Sequence, residues 1–135
     1  MELADKIKRA KRVYIIGNGG SFANAQHIAN DLEMCGIRAH TLNPATLTAT
    51  ANDHAYEFIF SKWIILHGEP CDLLIALSGS GTSKNIVNAV AAAKLIGMDV
   101  WQEFGAAQGL DMQSSEELQI FRGHAVMREL RANRS

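Results

Sequence analysis

The chain has 135 residues, 47% of them hydrophobic, and a formal net charge of −1. That length fits one domain, residues 1–135, able to bury a core without metal or disulfide staples. The near-zero charge excludes a field of one sign that would capture nucleic acid or anionic lipid, and no apolar run approaches the roughly 18 residues of a membrane span.

Residues 2–11 read as a short amphipathic helix, with Leu3, Ile7 and Ala10 on one face. Its alternating charges suit a solvated helix face better than a leader. Val13–Ile16 is a continuous run of β-branched and aromatic residues, the pattern of a buried strand, and Gly17 ends it. Ser21–Glu33 has helical spacing, with Gly36 placed to stop the last turn. Ile37–Leu42 reads as a second strand closed by Asn43-Pro44. Ala45–Gly68 is less regular. Tyr56–Leu66 has a helical pattern, and Asn52-Asp53 marks a break before it.

Leu73–Leu77 is a third strand, Ser83–Ile96 a helix ended by Ile96 or Gly97, and Asp99–Phe104 a fourth strand. Gly105–Ser115 reads as loop and Glu116–Arg131 as a final helix, despite Gly123 in its middle. Strands alternating with helices predict right-handed βαβ crossovers and a parallel sheet covered on both faces, with a core over residues 13–104. Cys35 and Cys71 show no metal spacing, which suits reduced thiols in a cytoplasmic protein.

In open α/β sheets ligands bind beyond the carboxyl ends of the strands. Two strands end there in unusual loops that run straight into helices, Gly17-Asn18-Gly19-Gly20-Ser21 and Ser78-Gly79-Ser80-Gly81-Thr82-Ser83. Glycine lets a backbone approach a ligand closely, and a helix N-terminus offers unpaired N–H groups and partial positive charge. The first loop, taken alone, is equally a tight turn. The hydroxyls of Ser78, Ser80, Thr82 and Ser83 exceed what a turn requires and would satisfy a phosphate monoester without a lysine. Phe22 breaks the dinucleotide fingerprint, and Lys84 lies outside any G-K-[ST] arrangement. On the helix after the first loop, His27 and Asp31 share a face at i, i+4.

The Gly-Asn-Gly-Gly-Ser turn, the Ser-Gly-Ser-Gly-x-Ser turn and the Asn52-Asp53 pair between them resemble the sugar isomerase (SIS) domain, and within it the phosphoheptose isomerases. The resemblance runs from about Val13 to Gly97, with a further match near the C-terminus. It implies a three-layer αβα sandwich on a flavodoxin-like parallel sheet of about four or five strands. It also implies the interconversion of sedoheptulose 7-phosphate and a heptose 7-phosphate. By the same resemblance Ser78, Ser80 and Ser83, with Thr82 beside them, hold the phosphate. Asn18, Gly19 and Ser21 touch the sugar or its phosphate, and Asn52 and Asp53 line the sugar site.

The family carries a His-x-x-x-Glu pair whose glutamate is catalytic, and here the second member is Asp31. The family's catalytic histidine on the last helix corresponds to His124, with Glu116 in place of a glutamine eight residues earlier. Aldose–ketose isomerisation requires no cofactor. Zinc is nonetheless compatible, because His27, Asp31, Glu116 and His124 are all permissible ligands. Glu116 also suits a substrate-binding role, or the first turn of a helix favoured by the dipole. On a straight helix ~12 Å of rise separates it from His124, so both reach one ion only if Glu116 lies in the loop before the helix.

Two departures stand out. The family has a longer helical N-terminal segment that helps to build a tetramer, and it continues through a further strand after the fourth. The resemblance implies a homo-oligomer, dimer or tetramer, with sites near subunit interfaces and with neither nucleic acid nor membrane as partner. SIS domains also serve as non-catalytic phosphosugar-binding, regulatory or adaptor modules, which need the serine loop but no acid–base pair.

Overall fold

The structure is a computed structural model that describes residues 1–132. In chain order the elements are α1 (Glu2–Arg9), β1 (Val13–Ile16), α2 (Gly20–Met34), β2 (Ala39–Thr41), α3 (Pro44–Asp53), α4 (Ile59–His67), β3 (Leu73–Ser78), α5 (Lys84–Ile96), β4 (Asp99–Phe104) and α6 (Met112–Ala132). Short 3₁₀ turns, Tyr56–Phe58 and Gly105–Gln108, precede α4 and follow β4. The four strands are parallel, in the order β2-β1-β3-β4. This is the expected α/β class with helices on both faces.

The period-2 alternation of β1 and β3 sorts the core into two layers. Val13, Ile15, Leu73, Ile75 and Leu77 pack with α1, α2 and α6. Tyr14, Ile16, Leu74 and Ala76 face the other way, against α3, α4 and α5. Both central strands are buried along their whole length, which is why they read as unbroken apolar runs.

Three expectations are corrected. Asn43-Pro44 does not merely close β2. Asn43 caps α3, its Oδ1 accepting from the Ala45 N–H at 2.8 Å, and Pro44 takes the first helical position. The helix hid from the sequence because none of its residues is buried, so it carries no apolar stripe. Asn52-Asp53 ends this helix, and the expected break before Tyr56 follows it. The last helix begins at Met112, not Glu116. Asp111 caps it by accepting from the Ser114 N–H at 2.8 Å, and that bond holds the Asp111 carboxyl below its ordinary pKa. The first helix stops at Arg9, two residues short of the expected end. Cys35 is buried, Cys71 exposed, and both are free. No described helix is long and apolar enough to cross a membrane.

Candidate functional site

The chain runs from β1 outward to β2, then returns to place β3 on the other side of β1, so the loops after β1 and β3 lie side by side. Asn18 of the first loop and Asn85 in the first turn of α5 join them. Each amide donates to the other's Oδ1 at 2.8 Å, and Tyr56 Oη also donates to Asn18 Oδ1 at 3.1 Å. Asn85 is buried. Gly19 turns the first loop into α2 with a φ of +56°.

Within the second loop the buried Ser78 hydroxyl accepts from the Gly81 N–H at 2.9 Å, and Ser80 Oγ accepts from the Thr82 N–H at 3.2 Å. Ser83 stands at the N-cap of α5, yet its side chain makes no cap bond. The Ile86 N–H of the first turn of α5 instead donates to the Ser83 carbonyl at 3.1 Å, and the N-terminus of a helix in this setting suits an anion. Ser80 and Thr82 are exposed beside it.

Ser21 is placed differently. It is 3% exposed, and its Oγ accepts from Gln119 Nε2 at 3.1 Å. Gln119 Oε1 in turn accepts from Asn24 Nδ2 at 2.9 Å, and Asn24 also donates to the Glu116 carbonyl at 3.0 Å. Ser21 thus belongs to a polar seam between α2 and α6. Asn52 donates to Asp53 Oδ1 at 3.1 Å at the exposed end of α3.

That seam continues along the helices into a cluster of ionisable groups. Gly123 makes the approach possible, since a Cβ there would lie 2.8 Å from Ile28 Cγ1. The residues beside this contact are His27 and His124, and their Nε2 atoms come within 3.1 Å of each other. Asp31 Oδ2 sits 3.2 Å from His27 Nε2 and 3.7 Å from His124 Nε2. These distances suit charge pairing, but neither ring N–H is aligned as a hydrogen bond, and Asp31 Oδ2 is buried without a hydrogen-bond partner.

The ligand atoms of His27, Asp31 and His124 all lie within 4.8 Å of one another, so the three fit a metal ion. Glu116 does not belong to that group. It lies within α6, two turns before His124, with its carboxylate packed on Gly20, where a Cβ would collide with it. It is therefore placed against the start of α2, beside the first loop, and the expected four-residue metal set becomes three.

Sequence reasoning missed Gln119, Asn85 and Tyr56. Gln119 follows Glu116 by three positions on the same helix, a spacing that places both on one face. A hollow of about 940 Å³ lies elsewhere, on the face between α3 and α4, and none of the expected site residues line it.

Comparison with known proteins places the chain in a family. The family model of the SIS domain matches residues 2–101. A phosphoheptose isomerase of Rhodospirillum rubrum is 40% identical over 111 residues, covering 76% of this chain and 59% of the relative. One from Leptospira biflexa is 44% identical over 108 residues, covering 73% of this chain and 55% of the relative. The chain thus spans little more than half the length of these curated relatives. Among solved structures, the phosphoheptose isomerase of Neisseria gonorrhoeae superposes with a TM-score of 0.86 at 26% identity, covering 96% of this chain and 81% of that one. With the match taking in both glycine-bearing loops and three of the four strands, the chain belongs to the SIS domain family.

Proposed function

We propose that this protein is an aldose–ketose isomerase of phosphorylated sugars, converting sedoheptulose 7-phosphate to a heptose 7-phosphate through an enediol. The observation that carries the reading is the convergence of His27, Asp31 and His124 from two helices. A phosphosugar-binding module needs the serine loop but has no use for two imidazoles around a half-buried carboxylate.

The phosphate sits at the N-terminus of α5, held by the Ser80, Thr82 and Ser83 hydroxyls and N–H groups of that terminus, with Ser78 shaping the loop from beneath. Isomerisation removes a proton from the carbon beside the carbonyl and returns one to the neighbouring carbon, with no net redox change. Asp31 and His124 are the acid–base pair, one on each helix, and His27 holds the carboxylate in place. His27, Asp31 and His124 would hold zinc, which when bound supplies a Lewis acid for the carbonyl and hydroxyl oxygens. Glu116, on Gly20, faces the first loop as a sugar-binding group.

The test is proton exchange followed by NMR, with sedoheptulose 7-phosphate in D₂O. Wild type is expected to place deuterium beside the carbonyl, and His124→Ala to slow this by about 10²–10⁴-fold. One feature favours the alternative of a non-catalytic phosphosugar-binding, regulatory or adaptor module. Asp31 is a methylene shorter than the glutamate of the resembled enzymes, a displacement of roughly 1 Å that can cost about a hundredfold in rate. No exchange in wild type, with the sugar phosphate still raising its thermal midpoint, would overturn the enzyme in favour of the module.

A further inference from the structure

The hollow of about 940 Å³ between α3 and α4 exists because α3 stands off from the sheet. No residue of α3 is buried, and His40 and Thr41 of β2 are left half-covered beneath it. Its floor is aromatic. Tyr14 has the His40 ring beside it at 5.7 Å between centroids, and Trp63 of α4 stands at right angles to Tyr14 at 5.2 Å. Its charge is of one sign. Arg12, His40, Lys62 and His67 line it and no aspartate or glutamate does, in a chain with 14 acidic residues against 13 Lys and Arg. Lys6 and Lys11 pair with Asp99 and Glu69. Arg12 and Lys62 have no carboxylate partner among the described residues. The buried Asp72 is engaged by the backbone, its two oxygens accepting from the Arg12 and Glu69 N–H groups at 3.1 and 2.9 Å.

These groups give the hollow two unlike ends. Arg12 precedes β1, and His67 ends α4, which runs back against the strands. The Tyr14 hydroxyl donates to the His67 carbonyl at 3.2 Å, so Arg12 and His67 both stand where the strands begin. The other end is uncharged, with Ile59 of α4 facing Thr46 and Thr50, one turn apart on α3. Thr48, elsewhere on α3, donates its hydroxyl to the Ala45 carbonyl at 3.2 Å. The Thr46 and Thr50 hydroxyls make no such bond among the described residues, and neither does the Trp63 indole N–H. Trp63 lies between the two ends, one turn from Ile59 and one from His67.

We propose that this hollow binds a nucleoside 5′-phosphate. The phosphate lies among Arg12, Lys62 and His67, the base against Trp63, and the base edge at Thr46 and Thr50. An inorganic anion or a small sugar phosphate would leave the aromatic wall and most of the volume unfilled. An uncharged ring would leave Arg12 and Lys62 unanswered. Threonine hydroxyls both donate and accept, so they suit amino and carbonyl edges alike, and the class is set more firmly than the base. The site lies on the α3–α4 face of the sheet, and the histidine–aspartate cluster lies between α2 and α6, so nothing here rests on the isomerase reading.

Trp63 is its own reporter. The chain has two tryptophans, and Trp101 packs on the opposite face of the sheet. Adenosine or guanosine 5′-monophosphate, titrated into the full chain at low salt, is expected to change tryptophan fluorescence saturably, and Trp63→Phe to abolish that change. By calorimetry, Arg12→Gln and Lys62→Gln are each expected to weaken binding about tenfold, and adenosine or inorganic phosphate alone to bind at least about tenfold more weakly than the monophosphate. Excess sedoheptulose 7-phosphate is expected not to displace the nucleotide. No saturable change with either monophosphate into the millimolar range overturns the proposal. Binding that is untouched by both cation variants, or that sedoheptulose 7-phosphate displaces, overturns it too, by placing the nucleotide at the serine loop or elsewhere. Should Trp63→Phe not fold, the two cation variants decide, and full affinity in both is a refutation.

Discussion

Asp31 carries an unusual burden for one carboxylate. Its Oδ2 is buried, lacks an aligned hydrogen bond and has two imidazole nitrogens within 3.7 Å. A group in that position is costly unless something uses it, because an unsatisfied buried acceptor is destabilising. Asp31→Asn keeps the size and removes the charge. If the carboxylate moves the proton, this variant slows deuterium incorporation by about a hundredfold or more while phosphosugar still protects the fold against heat. Equal exchange in wild type and variant would remove Asp31 from the chemistry. Ser21 teaches a different lesson at the same scale. A serine after a glycine-rich turn reads as a ligand-facing hydroxyl, yet this one is closed off by Gln119, which is 98 positions away in sequence. No local pattern announces a partner so distant. The same holds for Asn18 and Asn85, one conspicuous in its loop and the other lost in an ordinary helix.

At the scale of elements, α2 and α6 make the cluster, and Gly123 sets their separation. A helix gains no propensity from an interior glycine, which costs about 1 kcal/mol against alanine in an exposed position. Here the added methyl would press on Ile28. Gly123→Ala is therefore expected to destabilise the fold by about 1–3 kcal/mol through overpacking, despite the better propensity of alanine. It should also move His124 away from His27, so that both the urea midpoint and the exchange rate fall. A more stable variant with unchanged exchange would show that the helices do not need the close approach.

Legibility followed burial among these elements. β1 and β3 were plain because both faces are covered and every residue is apolar or nearly so. The end of α2 was visible in Gly36, which adopts a φ of +83°. α3 was invisible because it lies on the surface with nothing buried, and only its Asn-Pro start gave a sign. The first turn of α6 was hidden because Met112 and Gln113 continue no apolar stripe and are exposed. Its capping aspartate was present all the same.

For the whole molecule, the long-range tie that matters most beyond the site is the buried carboxylate of Glu103. Arg122 Nε of α6 lies 2.6 Å from Glu103 Oε1, close enough to neutralise it although the N–H is not aligned as a hydrogen bond. This pair binds the last helix to the outer strand, and so holds α6 in the position from which His124 meets α2. Removing the cation leaves a carboxylate whose side chain is only 7% exposed. Arg122→Ala is expected to cost about 2–3 kcal/mol in urea unfolding, somewhat below the ~3–5 kcal/mol of a fully buried pair because Arg122 itself is a third exposed. Arg122→Ala combined with Glu103→Gln should recover part of the loss. A single variant as stable as wild type would mean that the carboxylate finds water instead.

The amide pair between Asn18 and Asn85 has a consequence for how the protein responds to its surroundings. The link between the two glycine-bearing loops is made of groups that neither titrate nor attract counterions. Salt therefore has no charge to screen in this brace. The brace between the two loops is therefore a constant of the fold. A change of ligand affinity with ionic strength then reports the screening of charge on the ligand or elsewhere in the site, rather than a rearrangement of these walls.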